Sequence, residues 1–285
     1  MNIMKSINLY ESFKVRYLFG VFLAVAVSTY ISADIVNLNN ENPCGESIPF
    51  LTTLLITSFW SLYYCHKTSI NALNFFSTKT FKSVDWLELF ILGCMMFAFG
   101  YSYKLLILSI NLIPEKQILQ DILYERSIAI FQNSFKPGSI SQHIFNALTS
   151  FIIGPICEEF LFRGIILNRW QKKWGTRKAI ILTAIVFSAG HSFAPIPSLG
   201  GLLLSLIFVK YKSLLVCMII HILHNSLFSF PVFLPEGAAI FTEEELTNFL
   251  HQIIDVKWLS TFTIMFVVNL FFILRFIIKN FPKRS

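Results

Sequence analysis

Three short stretches of this chain carry polar side chains inside otherwise apolar sequence. They read EEFLFR at 158–163, FSAGH at 187–191 and HILHN at 221–225. An ionisable side chain in the middle of a membrane costs roughly 2.5–3.5 kcal/mol on insertion scales, so such a residue is a functional-site candidate. The candidates are Glu158, Glu159, Arg163, His191, His221 and Asn225.

Helical spacing separates the two adjacent glutamates. Glu159 and Arg163 are four residues apart with the acid first, which is the favourable order for an ion pair on a helix. Glu158 lies about 100° around the helix from Glu159 and faces a different neighbour. We therefore predict that Arg163 neutralises Glu159, whereas Glu158 is left for another partner.

The other two stretches each place two side chains on one helix face. Phe187 and His191 are one turn apart, and so are His221 and Asn225. Glu158, His191, His221 and Asn225 each lie 9–13 residues from the nearest basic residue of a predicted inner loop. At about 1.5 Å per residue, all four fall roughly 13–20 Å below the inner membrane surface. Three helices therefore bring a carboxylate, two imidazoles and an amide to one level.

This set of groups suits hydrolysis. A glutamate beside a histidine can take a proton from water, which then attacks a carbonyl carbon. The resulting oxyanion needs donors, and an imidazole N–H and an amide N–H₂ can supply them. One carboxylate and two histidines also suit Zn²⁺ with water as the fourth ligand. Spacing alone does not distinguish a zinc site from a metal-free glutamate mechanism.

The composition places these residues in a membrane protein. Of 285 residues, 55% are hydrophobic and 14% charged, and the mean hydropathy is +0.64. A soluble domain of this size could not bury so much apolar surface. The net charge of +7 does not indicate nucleic-acid binding, because the basic residues form short clusters between apolar runs. The five cysteines are scattered and form no metal-binding or disulfide pattern.

The apolar runs predict an all-α fold, a polytopic bundle of about eight transmembrane helices. Six runs are long enough to span a membrane. They cover residues 17–35, 48–65, 86–103 (extendable to 113), 144–167, 214–234 and 258–278. The stretch 179–209 is interrupted by Pro195 and Pro197, so we predict two short helices joined by a turn, which either cross or form a re-entrant loop.

The loop charges support eight crossings with both termini in the cytoplasm. The predicted inner segments hold 17 Lys and Arg residues, and the predicted outer segments hold four. Basic residues are enriched in cytoplasmic loops. We expect an integral, multi-pass membrane protein, located in the cell membrane if the chain is prokaryotic.

The ordered set Glu158-Glu159-xxx-Arg163, Phe187-xxx-His191 and His221-xxx-Asn225 resembles the three motifs of the CAAX-protease and bacteriocin-processing (CPBP, or Abi) family. The type II CAAX prenyl endopeptidase is the best-known eukaryotic member. The resemblance covers roughly residues 144–230 and implies intramembrane proteolysis. It implies that Glu158 and His191 activate water and that His221 and Asn225 hold the oxyanion.

The same resemblance implies that Glu159 and Arg163 fix the helix and tune Glu158. Family members are often labelled metalloproteases, so zinc held by Glu158, His191 and His221 is one alternative. We expect three parts: transmembrane helices and an outer loop in 1–139, the catalytic core in 140–235, and an outer loop and final helix in 236–285. The expected partners are membrane lipid and a peptide or protein substrate at the inner leaflet, without nucleic acid.

Two other functions compete with proteolysis. Buried Glu, His and Arg residues also mark ion paths, so a proton-coupled transporter is one alternative. A bacteriocin-immunity-like membrane protein that keeps the fold without catalysis is the other. Other intramembrane proteases are disfavoured, because the chain has neither HExxH nor GxSG, and its Asp residues lie at segment ends or in loops.

Overall fold

The computed structural model describes residues 14–35, 47–67, 76, 78, 80–111, 140–191, 195–229 and 256–283. Over these ranges the chain forms helices and their connecting turns, and no β-strand occurs among the described residues. The predicted all-α class is therefore confirmed for the described part of the chain.

Most predicted segments correspond to one helix. The chain begins with α1 (Val15–Ile35) and α2 (Ser47–Lys67), and a 3₁₀ turn (Phe81–Ser83) precedes α3 (Trp86–Asn111). The later helices include α9 (Leu214–Ser229) and α10 (Val256–Asn280). Residues 230–234 of the predicted fifth run lie outside the described residues.

The segment that carries Glu158 is longer and less regular than predicted. It runs through 140–174 as α4 (Ile140–Leu148), a π turn (Thr149–Ile153), α5 (Gly154–Glu159), a second π turn (Phe160–Leu167) and α6 (Asn168–Trp174). We call this stretch the composite helix. π turns inside α-helices are frequent at functional sites. Here they bracket the turn that bears both glutamates.

The predicted break after His191 is present. α7 (Thr176–Ala189) ends there, and α8 (Pro195–Tyr211) begins at the first of the two prolines. Both prolines lie in the first turn of α8, where the missing N–H costs no intrahelical hydrogen bond. α7 and α8 pack against each other, and both contact the second π turn of the composite helix.

Three helices are long and apolar enough to cross a membrane: Val15–Ser32, Ile48–Lys67 and Ser260–Asn280, counted over the described residues. Shorter apolar helices cover Trp86–Gly100, Ile196–Tyr211 and Leu214–Leu227. Leu23, Phe59 and Ile278 are examples of large apolar side chains that remain exposed, as expected where lipid is the solvent. The chain is an integral membrane protein, and the count of about eight spans stays a prediction.

The chain divides into two compact units. The first comprises 1–86, 139–223 and 279–285. In it α1 packs along α2, where the hydroxyls of Thr29 and Thr53 are hydrogen-bonded at 2.9 Å. The second comprises 87–138 and 224–278, and in it the rings of Phe99 and Phe266 stack at 4.9 Å. The three-part division expected from the sequence stays a prediction.

Candidate active site

Glu158 and His221 meet in the first unit from two different helices. Glu158 is 6% exposed near the end of α5, and His221 is 7% exposed in α9. His221 Nε2 lies 3.8 Å from Glu158 Oε2. This distance is beyond a direct hydrogen bond and within reach of one bridging water. The two groups are therefore close together, whereas their shared depth in the membrane stays a prediction.

Glu159 forms the predicted ion pair and also a contact that the sequence did not reveal. Its Oε1 lies 2.8 Å from Arg163 Nη1, and both side chains are fully buried. The same oxygen lies 2.8 Å from Nδ1 of His221. His221 therefore lies between two adjacent glutamates, with one on each ring nitrogen.

This arrangement fixes the tautomer of His221. Glu159 is ion-paired with the Arg163 guanidinium at 2.8 Å, and a carboxylate in such a pair accepts hydrogen bonds. Nδ1 of His221 must therefore carry the hydrogen that is donated to Glu159. In a neutral ring, Nε2 then presents a lone pair towards Glu158, and it can donate only after it has been protonated.

His191 has the same tautomer for a different reason. Its Nδ1 lies 2.9 Å from the backbone carbonyl oxygen of Phe187, which can only accept. The ring nitrogen left for chemistry is again Nε2. The ring of Phe187 contacts the imidazoles of both His191 and His221, so His191 borders the pair formed by His221 and Glu158. The structure therefore brings together Glu158, His191 and His221 from three helices.

Phe187 connects these side chains. Its ring stacks on His191 at 4.6 Å between centroids and meets the ring of His221 at 6.1 Å. The guanidinium carbon of Arg163 lies 4.7 Å from the centre of the same ring, a cation–π contact. Phe162 packs edge-on against it at 5.0 Å. The face shared by Phe187 and His191 was predicted, but the part of Phe187 in the wall of the site was not.

Gly201 on α8 completes the wall. Its carbonyl oxygen accepts hydrogen bonds from Nη2 of Arg163 at 2.9 Å and from the Ser205 hydroxyl at 2.8 Å. A Cβ at Gly201 would lie 3.0 Å from Cδ1 of Phe187, so the two helices approach closely here and a larger residue would need Phe187 to shift. The signal in the sequence was the Gly200-Gly201 pair in an apolar helix, since small residues let membrane helices approach closely.

Asn225 follows His221 by one helical turn on α9 and is half-buried. It belongs to the second compact unit, whereas Glu158 and His221 belong to the first. Its role in holding the oxyanion therefore stays a prediction.

The geometry gives no support to a metal centre. Among the described residues, no three His, Cys, Asp or Glu side chains are placed to hold one metal ion. The contact of Glu159 with Nδ1 of His221 does not itself exclude a metal, because metal-bound histidines usually keep such a partner on the second ring nitrogen. The zinc alternative stays a prediction, and the chemistry of the site is derived from its side chains alone.

The composite helix, α7, α8 and most of α9 match a known family. Residues 140–227 match the model of the Rce1-like type II CAAX prenyl endopeptidases. The chain is also 40% identical over 60 residues to an uncharacterized 24.3 kDa protein of Escherichia coli. That match covers 20% of this chain and 28% of the relative. No solved structure matches the chain.

The matched segment contains every candidate residue, on the helices that position them. The buried side chains of Glu158 and His221 lie within this matched segment. Residues 140–227 are therefore similar to the Rce1-like type II CAAX prenyl endopeptidases, and this match supports the family resemblance carried by the three motifs.

Proposed function

We propose that this chain is an intramembrane endopeptidase that hydrolyses a peptide bond of a membrane-associated peptide or protein near the inner leaflet, in CAAX-type or peptide processing. The observation that carries this proposal is the pairing of buried Glu158 with Nε2 of His221, while Glu159 holds the opposite nitrogen. A carboxylate beside an oriented imidazole is a water-activating pair.

In the first step Glu158 is the base. A water molecule between its carboxylate and the imidazoles gives one proton to Glu158, and its oxygen forms a bond to the carbonyl carbon of the substrate. His191 Nε2 accepts a hydrogen bond from the second O–H group of that water and so orients the water. The carbonyl π electrons move onto oxygen, giving a tetrahedral oxyanion.

The oxyanion would be held by His221 and Asn225. Because Nδ1–H of His221 is donated to Glu159, His221 can donate to the oxyanion only from a protonated Nε2. The proton taken from water is therefore shared between Glu158 and this nitrogen. When the C–N bond breaks, that proton passes to the leaving nitrogen, so the products are a carboxylic acid and an amine.

The test is cleavage of membrane peptides, including CAAX tails, by purified protein reconstituted in lipid. Glu158→Gln is expected to lower kcat about 10²–10⁴-fold, the usual contribution of a general base. Glu88→Gln, which removes a half-buried carboxylate at the start of α3, is the matched control and should cleave like the wild type. Equal cleavage by both variants, or no cleavage by folded wild type on any peptide, would count against the proposal.

A chelator arm tests the zinc alternative in the same assay. Because the described side chains form no converged donor set, we expect cleavage to survive 1,10-phenanthroline. Loss of cleavage that added Zn²⁺ restores would replace the side-chain mechanism with a metal-dependent one, while leaving the endopeptidase proposal intact.

A further inference from the structure

A dense group of cations lies where the composite helix turns back into α7. The turn is made at Gly175, which has φ of +80°, a conformation that favours glycine. No acidic residue occurs in the described chain from 160 to 229. We call the group the basic surface; its cations are Arg169, Lys172, Lys173, Arg177 and Lys178.

Aromatic rings support the basic surface. Trp170 is buried at 8% exposure, whereas Trp174 is 39% exposed, and their ring centroids are 5.4 Å apart. Nζ of Lys173 lies 4.6 Å from the centre of the Trp174 ring. Lys173 and Lys178 are themselves exposed. The rings therefore anchor the turn while the charges of Lys173 and Lys178 point outward.

Two distant parts of the chain extend this surface within the first unit. From α1, the ring of Phe19 lies 6.4 Å from that of Trp170. From the C-terminal end, the carbonyl oxygen of Pro282 accepts a hydrogen bond from Nε of Arg177, whose guanidinium lies 5.7 Å from the Phe281 ring. The basic surface is thus assembled by the fold and is more than a run of cations along the sequence.

The surroundings indicate which anion this surface fits. Further along α7, the side chains of Ile181 and Ile185 are 46% and 50% exposed, so the charged turn continues into a face suited to acyl chains. Exposed Trp and Lys at such a boundary are typical of the membrane interface, where Trp sits at headgroup level and Lys extends to the phosphates. An acidic protein segment would match the charges but not the apolar face beside them.

We propose that the basic surface binds the anionic headgroups of phospholipids in the leaflet that it faces. Juxtamembrane cations attract such lipids, and each contributes a binding preference of about fivefold near the surface. The composite helix is continuous from this surface to Glu158, eleven residues from Arg169. Binding of lipid here does not depend on the proposed protease activity.

The experiment measures tryptophan quenching in the reconstituted full-length protein. Phosphatidylglycerol or phosphatidylcholine carrying brominated acyl chains is added at equal mole fractions to a phosphatidylcholine bilayer. Trp174→Phe identifies the part of the emission that reports on the basic surface. We expect brominated phosphatidylglycerol to quench that part more strongly, and we expect the difference to shrink as salt is raised, because salt screens exposed charges.

The decisive comparison is between two double variants that each remove two exposed cations. Lys173→Gln/Lys178→Gln should lower the preference for phosphatidylglycerol by about fivefold or more, given the contribution of each cation. Lys67→Gln/Lys82→Gln removes exposed charges on other elements of the first unit and should change the Trp174 signal less than about twofold, because that signal reports lipid at the basic surface and salt screens more distant charges. Thermal unfolding of both variants checks that each is folded.

Three results would overturn the proposal. Equal quenching by the two lipids in wild type would show that no anionic headgroup is preferred. Equal losses in the two double variants would show an effect of overall charge only. Displacement of brominated phosphatidylglycerol by a soluble acidic peptide, but not by unlabelled phosphatidylglycerol, would indicate a protein partner instead.

Discussion

His221 has a carboxylate on each ring nitrogen, Glu159 at 2.8 Å from Nδ1 and Glu158 at 3.8 Å from Nε2. In serine proteases, a buried acid on the far nitrogen of the catalytic histidine fixes its tautomer and stabilises its protonated form. Glu159 is placed to do the same for His221. In the proposed mechanism the two glutamates of the first motif therefore have different tasks on one imidazole.

Glu159→Gln tests this division of tasks. The amide oxygen can still accept from His221 and Arg163, but the charge is lost and buried Arg163 is left unpaired, which typically costs about 3–5 kcal/mol. We expect a lower thermal midpoint and a lower kcat with KM little changed. In Glu159→Gln/Arg163→Met, which removes both charges, the midpoint should recover in large part and kcat should not. The measurements are thermal unfolding and cleavage kinetics.

A purely structural role for Glu159 gives a different result. If the ion pair only holds the helices together, kcat should recover with the thermal midpoint in the double variant. Arg163→Met alone removes the contacts of Arg163 with Gly201 and Phe187 and also leaves Glu159 buried without its cation, so it should lower the thermal midpoint more than the double variant does.

Local sequence spacing predicted part of this site and could not predict the rest. The ion pair of Glu159 with Arg163 lies within one helical turn, so periodicity revealed it. Counting residues from the basic loops placed Glu158 and His221 at one depth. The contact of Glu159 with His221 spans 62 positions and depends on how the helices pack, which spacing within one helix does not specify.

At the scale of elements, hydropathy located the helices but not their internal geometry. The run 144–167 is apolar apart from a few polar positions and predicted one regular helix, whereas the structure has two π turns around α5. Pro155 follows the first π turn, and it has no amide hydrogen to continue a regular ladder. After the second π turn, the side-chain amide of Asn168 donates hydrogen bonds to the backbone carbonyl oxygens of Arg163 and Gly164, both at 2.9 Å. Such local compensation has no periodic signature.

The close packing of α8 on α7 gives a prediction at this scale. Gly201→Ala places a methyl group 3.0 Å from Cδ1 of Phe187, so the wall of the site must shift. We expect a loss of stability of about 1–3 kcal/mol, as for overpacked cores, together with slower cleavage. Thermal unfolding and peptide cleavage are the measurements.

Gly20→Ala is the control for that substitution. A methyl group at Gly20 meets nothing within 4 Å, and alanine favours a helix by roughly 1 kcal/mol over glycine. The Gly20→Ala variant should therefore be as stable as the wild type or slightly more stable. If both alanine variants are equally stable and active, the contact between Gly201 and Phe187 does not limit the packing of the site.

At the scale of the whole molecule, topology is the least determined property. Three described helices meet the length and hydropathy of a membrane span. The 17 residues of α8 extend only about 26 Å, against a hydrocarbon core of about 30 Å. Composition and loop charge predicted a membrane protein with cytoplasmic termini. They cannot tell whether α7 and α8 cross or re-enter, because both arrangements return the chain to the same side.

Cysteine labelling separates eight crossings from a re-entrant loop. In a background without the five native cysteines, single cysteines at Lys14, Lys173 and Lys283 should react with a membrane-impermeant thiol reagent only after the cells are opened. Glu243 lies in a predicted outer loop, because outer loops carry few basic residues. A cysteine at this position should therefore react in intact cells. A cysteine at Phe193, between α7 and α8, decides the count. Reaction there in intact cells means that both helices cross and eight spans are present, whereas protection equal to that at Lys173 leaves six spans and a re-entrant pair.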